Sequence, residues 1–210
     1  HQVVRRQRQM CIRDRGVSAY LVSLALMVAL IVDALSDPLI GYLSDNTRSR
    51  WGRRHPFMYA AALPAAVAYY FVWNPPSGLE GDALFPYIVT IAVLVRTLVT
   101  VYEIPSSSLV AEMSGDYDER TSMLSYRYFF GWTGGTLMGA FATIFILVPT
   151  ATISNGMFNV EGHSQVGTIA AVIIFIAMMV STLGTHKMIP DLKAPPPPRR
   201  MSIGLIYREV

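Results

Sequence analysis

From Val17 to Leu43 the chain is apolar for long enough to cross a bilayer, and inside that run stand two carboxylates, Asp33 and Asp37, one helical turn apart. About 20 apolar residues suffice for a spanning helix. A carboxylate held in lipid costs roughly 2.5–3.5 kcal/mol or more, so a retained pair marks a functional site. Pro38 follows at once, and then a hairpin carrying Arg48, Arg50, Arg53 and Arg54. The proline is expected to loosen the backbone beside the carboxylates, as in the interrupted helices of transport sites. The arginines fix which end of the helix faces the cytoplasm.

Four further apolar runs, at about 57–73, 85–110, 122–148 and 166–186, join the first at about 17–43. The fold expected is therefore an all-α membrane protein. A hydrophobic fraction of 52% against only 15% charged residues excludes an average soluble domain. A single cysteine excludes an internal disulfide framework. Loops 44–56, 113–121 and 186–200 carry Arg48, Arg50, Arg53, Arg54, Arg120, Lys187, Lys193, Arg199 and Arg200, whereas loops 74–84 and 149–165 carry neither Lys nor Arg. Every second loop is thus positive and cytoplasmic, and the first span runs from outside to inside. An odd number of spans starting outside implies a preceding helix. Gly131, Gly134, Gly135 and Gly139 give the fourth span a small-residue face on which a neighbouring helix can pack closely. The segment 188–210, with its Ala194–Pro198 run, is expected to be a semi-rigid, truncated central cytoplasmic loop.

Residues 1–15 are expected to be foreign to the protein. Across all eleven residues, Arg5 to Arg15 resembles the in-frame translation of a transposase sequencing adaptor. The biological alternatives are a polybasic juxtamembrane arm or a nucleic-acid arm. Setting the segment aside removes Arg5, Arg6, Arg8, Arg13 and Arg15 from the 17 basic residues and Asp14 from the 14 acidic ones, which leaves a net charge of −1. Cys11 goes with it. The bundle proper then covers 16–187.

Each remaining charge in the spans has a functional and a structural reading. Asp33, Asp37 and the hydroxyl of Ser36 offer hard oxygen ligands for a small desolvated cation, or a shared proton. Structurally, Asp37 could cap or pair near the cytoplasmic end. Glu103 lies mid-span, one turn beyond Thr100 and just before Pro105. Arg96, seven residues upstream, and Arg127, in the next span, are its two natural partners. A carboxylate and a guanidinium facing one cavity bind hydroxyl groups well, because both form strong directed hydrogen bonds. An Arg96–Glu103 ion pair is the structural alternative. Asp45 with Arg53 and Arg54, and Asp116, Glu119 and Arg120, stand at cytoplasmic helix ends and read as conformational latches. His55 beside Pro56 has no second ligand near it in sequence, so a metal centre is not expected.

These residues resemble a family. Asp33-Ala-Leu-Ser-Asp-Pro-Leu-Ile-Gly41, Asn46-Thr-Arg-Ser-Arg-Trp-Gly-Arg-Arg54, Tyr102-Glu-Ile-Pro-Ser-Ser-Ser-Leu109 and Asp116-Tyr-Asp-Glu-Arg-Thr with Ser125-Tyr-Arg-Tyr-Phe-Phe130 are similar to the glycoside–pentoside–hexuronide:cation symporters. This is the melibiose permease group of the major facilitator superfamily. Gly41 and Asp45 match the superfamily's short cytoplasmic loop, while Gly52 comes later, a stretch typical of the subgroup. The resemblance covers about residues 17–190 and implies helices two to six of twelve, an N-terminal half-bundle. It further implies that Asp33, Ser36, Asp37 and Thr100 form the coupling-cation site. Glu103 and Arg127 fall where the melibiose permease binds sugar. Ser107 stands where that permease has a tryptophan stacked on the sugar, and Ser36 replaces an asparagine.

The function implied is symport of a sugar or glycoside with Na+ or H+ across the cytoplasmic (inner) membrane, by alternating access. No cofactor is expected, and no metal beyond a Na+ at the cation site. The partners implied are a small sugar, the coupling ion and the lipid bilayer, with no nucleic acid and a monomeric full-length protein. Two rivals are a superfamily transporter of a non-sugar solute and a membrane sensor that binds sugar without moving it. An enzyme is not expected, since the chain offers no nucleophile–base pair, phosphate loop or metal cluster.

Overall fold

A computed structural model describes residues 19–76, 78–79, 84–149 and 155–191. The segment 1–15 and most of the cytoplasmic loop, from 192 onward, lie outside the described residues. All elements among those described are helical. They are α1 (Ala19–Asn46), α2 (His55–Trp73), α3 (Phe85–Met113), α4 (Tyr117–Phe141) and α5 (Val160–His186). The last turn of α4 continues as a wider π-helical turn, Ala142–Ile146, and short 3-10 turns flank α5 at Gly156–Phe158 and Ile189–Asp191. All five long helices are long and apolar enough to cross a membrane.

Local chemistry sets the ends. The Asp116 carboxylate accepts from the Asp118 N–H and starts α4 at Tyr117, five residues before the expected span. The Asn159 side chain likewise accepts from the Gly162 N–H, so α5 begins at Val160 rather than 166. Between α1 and α2, Gly52 takes a left-handed φ of 76° to turn the arginine hairpin. Pro56 and Pro86 sit in the first turns of α2 and α3, where a missing N–H costs nothing.

One expectation is corrected here. α1 runs unbroken through Pro38. Proline removes one backbone bond and crowds the preceding turn, but α3 packs along α1 on both sides of that point. Val22 and Ala25 bury against Leu84 and Ile88 on one side, and Gly41 lies against Ile104 on the other.

The helices pair as α1 with α3, α2 with α3 and α2 with α5. α1 and α3 run parallel, while α2 and α5 run antiparallel, and both ends of the α2–α5 pair are tied. At one end His55 Nε2 meets Thr185 Oγ1 at 3.1 Å, and the Tyr59 hydroxyl meets His186 Nδ1 at 3.2 Å. At the other end the Ser164 hydroxyl donates to the side-chain amide oxygen Oδ1 of Asn74 at 2.5 Å. There Trp73 also stacks on His163, with ring centroids 5.8 Å apart. His55 thus gains a histidine neighbour, His186, that its sequence surroundings do not offer.

α4 is the outlying helix. It buries none of its side chains, and Tyr126, Phe129, Phe130 and Trp132 are exposed. Its glycine face is not closely packed either. Gly131, Gly134, Gly135 and Gly139 border an open groove of about 730 Å3 between α2, α4 and α5. Tight glycine contacts lie elsewhere: a Cβ at Gly156 would overlap the Leu147 backbone, and one at Gly167, between α2 and α5, would overlap the Trp73 side chain. Gly167→Ala is therefore expected to destabilise a full-length protein carrying this segment by about 1–3 kcal/mol, the usual cost of overpacking. Gly184→Ala, with nothing within 4 Å of the added methyl, should melt like the parent. Thermal unfolding in detergent checks both, and equal melting of the two variants would refute the close approach.

Candidate functional site

The parallel α1–α3 pair brings the intramembrane charges into one pocket. Asp33 and Asp37 face α3 from successive turns of α1, and Arg96, Thr100, Glu103 and Ser107 face back from successive turns of α3. Together with Val99, Ile104 and Ser108 they line a cavity of about 400 Å3. Thr100 is buried, and its hydroxyl donates to Asp33 Oδ1 at 2.8 Å. Arg96 Nη2 holds the other oxygen, Oδ2, at 3.2 Å. Asp37 Oδ1 is buried without a hydrogen-bond partner. Such an oxygen is costly in an apolar setting unless a cation or proton satisfies it.

The sequence-expected residues divide clearly. Asp33, Asp37 and Thr100 come together. Ser36 is on the same helix, but its hydroxyl donates to the Asp33 backbone carbonyl at 3.0 Å, so only its lone pairs remain to offer. Glu103 pairs with Arg127 of α4 at 3.8 Å, not with Arg96. The Arg96–Glu103 ion pair set out above is thus replaced by Arg96–Asp33, because Arg96 and Thr100, four residues apart, point at the same carboxylate. The Ser107 hydroxyl donates to the Glu103 carbonyl at 2.7 Å and leaves open space where a larger side chain would stand. Arg127 Nη1 is buried and unpartnered. One wall therefore offers two carboxylates, a threonine and an unsatisfied oxygen for a cation. Beside it, a carboxylate–guanidinium pair suits a hydroxyl-bearing solute.

Where α1 ends at Asn46, a second cluster ties α1 and α3 to the start of α2. Arg54 reaches Asp45 at 3.0 Å and Glu112 at 2.7 Å, and Arg53 pairs with the same Glu112 oxygen. Burial pulls the Arg54 guanidinium below its ordinary value, and Glu112 and Asp45 oppose that pull. Glu112 is absent from the sequence reading, although an acid closing an apolar run opposite an arginine hairpin is a usable signal. Asp116, Glu119 and Arg120 are arranged locally instead. Asp116 caps α4, Glu119 accepts from Ser114 Oγ at 2.6 Å, and Arg120 Nε donates to the Ser114 carbonyl at 2.6 Å.

A helical bundle with carboxylates and arginines gathered inside its apolar layer is the architecture of a membrane transporter. The chain belongs to the MFS/sugar transport protein family, whose model matches residues 12–208. It is 33% identical over 173 residues to an uncharacterized symporter of Synechocystis, covering 80% of this chain and 31% of that protein. To the isoprimeverose transporter of Lactiplantibacillus pentosus it is 27% identical over 182 residues, 85% of this chain and 36% of the relative. To the sodium-dependent lysophosphatidylcholine symporter 1 of Mus musculus it is 34% identical over 109 residues, 50% of this chain and 20% of the relative. The chain spans about a third of the length of the first two relatives.

Glu112→Gln would leave two arginines facing each other with their shared carboxylate gone. Breaking a buried pair from one side costs roughly 3–5 kcal/mol, and the half-exposed Asp45 partner keeps this case near the low end. A lowered melting temperature in the full-length protein is the expected result, and an unchanged one would show that the Asp45–Arg54 contact suffices.

Proposed function

We propose that this segment forms the cation-binding wall and part of the solute-binding wall of a symporter that moves a sugar or glycoside with Na+ or H+ across the cytoplasmic membrane. One observation carries the proposal. The buried, unpartnered Asp37 oxygen lies in the same cavity as Asp33 and Thr100, and that cavity continues into Glu103 and Ser107. An ion satisfies the first group of oxygens, and a polyhydroxylated ring suits the second together with Arg127. The names of the relatives support the direction of the reading, since one carries isoprimeverose and another depends on sodium.

The mechanism follows from electrostatics. While Asp33 and Asp37 lack an ion, the pocket holds excess negative charge in a poorly solvated layer, which opposes closure of the cavity. An ion neutralises that charge and lowers the cost of the closed intermediate. Sugar held by Glu103 and Arg127 fills the remaining space, and the loaded cavity then reopens on the other side by rocking about the site. Both ligands are needed for the crossing, so the gradient of one drives the other. Glu112 with Arg53 and Arg54 acts as a latch at the cytoplasmic end of this movement.

In a full-length protein carrying this segment, Asp33→Ala is expected to abolish cation-driven sugar accumulation in vesicles; undiminished accumulation would sink the cation assignment. Glu103→Ala should weaken sugar binding by about tenfold or more, the scale of one charged hydrogen bond, while changing cation binding less. Equal loss of both would make the Glu103–Arg127 pair structural. Counterflow of labelled sugar separates a transporter from a sensor, which binds without exchange. If counterflow runs with lysophosphatidylcholine and not with glycosides, the sugar assignment falls and the cation site stands.

A further inference from the structure

Arg96 lines the same cavity from α3 and pairs with Asp33, the carboxylate that the coupling ion requires on the reading above. Its guanidinium holds Asp33 Oδ2 at 3.2 Å while Thr100 holds Oδ1, so both oxygens of Asp33 are engaged and Asp37 Oδ1 is left over. The Arg96 side chain is 49% exposed against 18% for Asp33. A long side chain with its stem on α3 and half its surface open can leave the carboxylate without disturbing a core. Charge gives the same direction. Asp33 and Asp37 carry two negative charges, Arg96 cancels one, and the nearest other charges, Glu103 on α3 and Arg127 on α4, cancel each other.

Resting on the cation-site reading above, we propose that Arg96 is the resident counter-ion of this site. It stabilises Asp33 between transport events, and a monovalent coupling ion must displace it from Oδ2 to bind. Arg96 thereby weakens the site on purpose of release: an ion held by two unopposed carboxylates would leave slowly, and a tethered guanidinium that returns to Asp33 speeds its departure. It also leaves the pocket one negative charge short of holding two monovalent ions or a divalent one. Arg96 is a positioning and selectivity residue, acting on the ion through Asp33.

The test uses a full-length protein carrying this segment and Na+ alone as the probe. Arg96→Gln is expected to lower the Na+ concentration for half-saturation by about tenfold, the effect of removing one neighbouring like charge from a partly exposed site. Soluble guanidinium should restore the parent's weaker Na+ binding in the variant, which a merely structural role for Arg96 would not allow. Unchanged or weaker ion binding in Arg96→Gln overturns the proposal. Should that variant fail to fold, Arg96→Lys serves: a shorter, single-point charge holds Asp33 less well, so about threefold tighter Na+ binding is expected, and none overturns it. Asp33→Asn separates the two readings. If it keeps the parent's ion dependence, the cation site itself is wrong; if it loses that dependence while Arg96→Gln is neutral, the site stands and only the counter-ion role fails.

Discussion

Lipid leaves a charged side chain only two ways to exist at low cost, a partner or a wet cavity, and this constraint organises α1, α3 and α4. Asp33 finds Arg96 and Thr100 across the helix interface. Glu103 finds Arg127, and the cytoplasmic arginines find Glu112 and Asp45. Each pairing demands a particular register between two helices. The apolar residues around them, Val22, Ala25, Leu84 and Ile88, supply contact area but would tolerate other registers. Charge thus selects among packings that hydrophobic contact alone leaves nearly equal.

The α2–α5 pair works differently. Among the described residues it carries no ion pair, and its register is set by small and aromatic groups: Gly167 beneath Trp73, Trp73 on His163, and hydroxyl–imidazole contacts at the far end. α1 and α3 form the charged part, joined to α2 along the α2–α3 contact. The groups that set the α2–α5 register thus lie outside the α1–α3 pocket.

Much of this was legible in the sequence because lipid makes errors expensive. The five spans followed from hydropathy alone. The gathering of Asp33, Asp37, Thr100 and Glu103 followed from helical spacing and the resemblance to known symporters. What escaped was whatever depends on how two helices face each other. Arg96 could meet Glu103 on its own helix or Asp33 on another, and spacing offered no way to choose. Glu112 gains its meaning only when the arginine hairpin folds over it and sets Arg53 and Arg54 on its carboxylate. Pro38 suggested a loosened backbone beside the carboxylates, and α1 runs through it without interruption while packing on α3 to either side. The start of α5 was misjudged because Asn159 caps the helix well before its apolar run begins.

The thin packing of α4 has a consequence for how such proteins diversify. Asp33 and Thr100 lie on two helices locked side by side, so a change there disturbs many neighbours at once. Arg127 rides on a helix with no fully buried residue, and a small tilt alters its distance to Glu103 at little cost to stability. Substitutions along α4 can therefore shift the guanidinium beside Glu103 while leaving the Asp33–Thr100 contact intact. A pocket built this way has one wall that is easily retuned and one that is not.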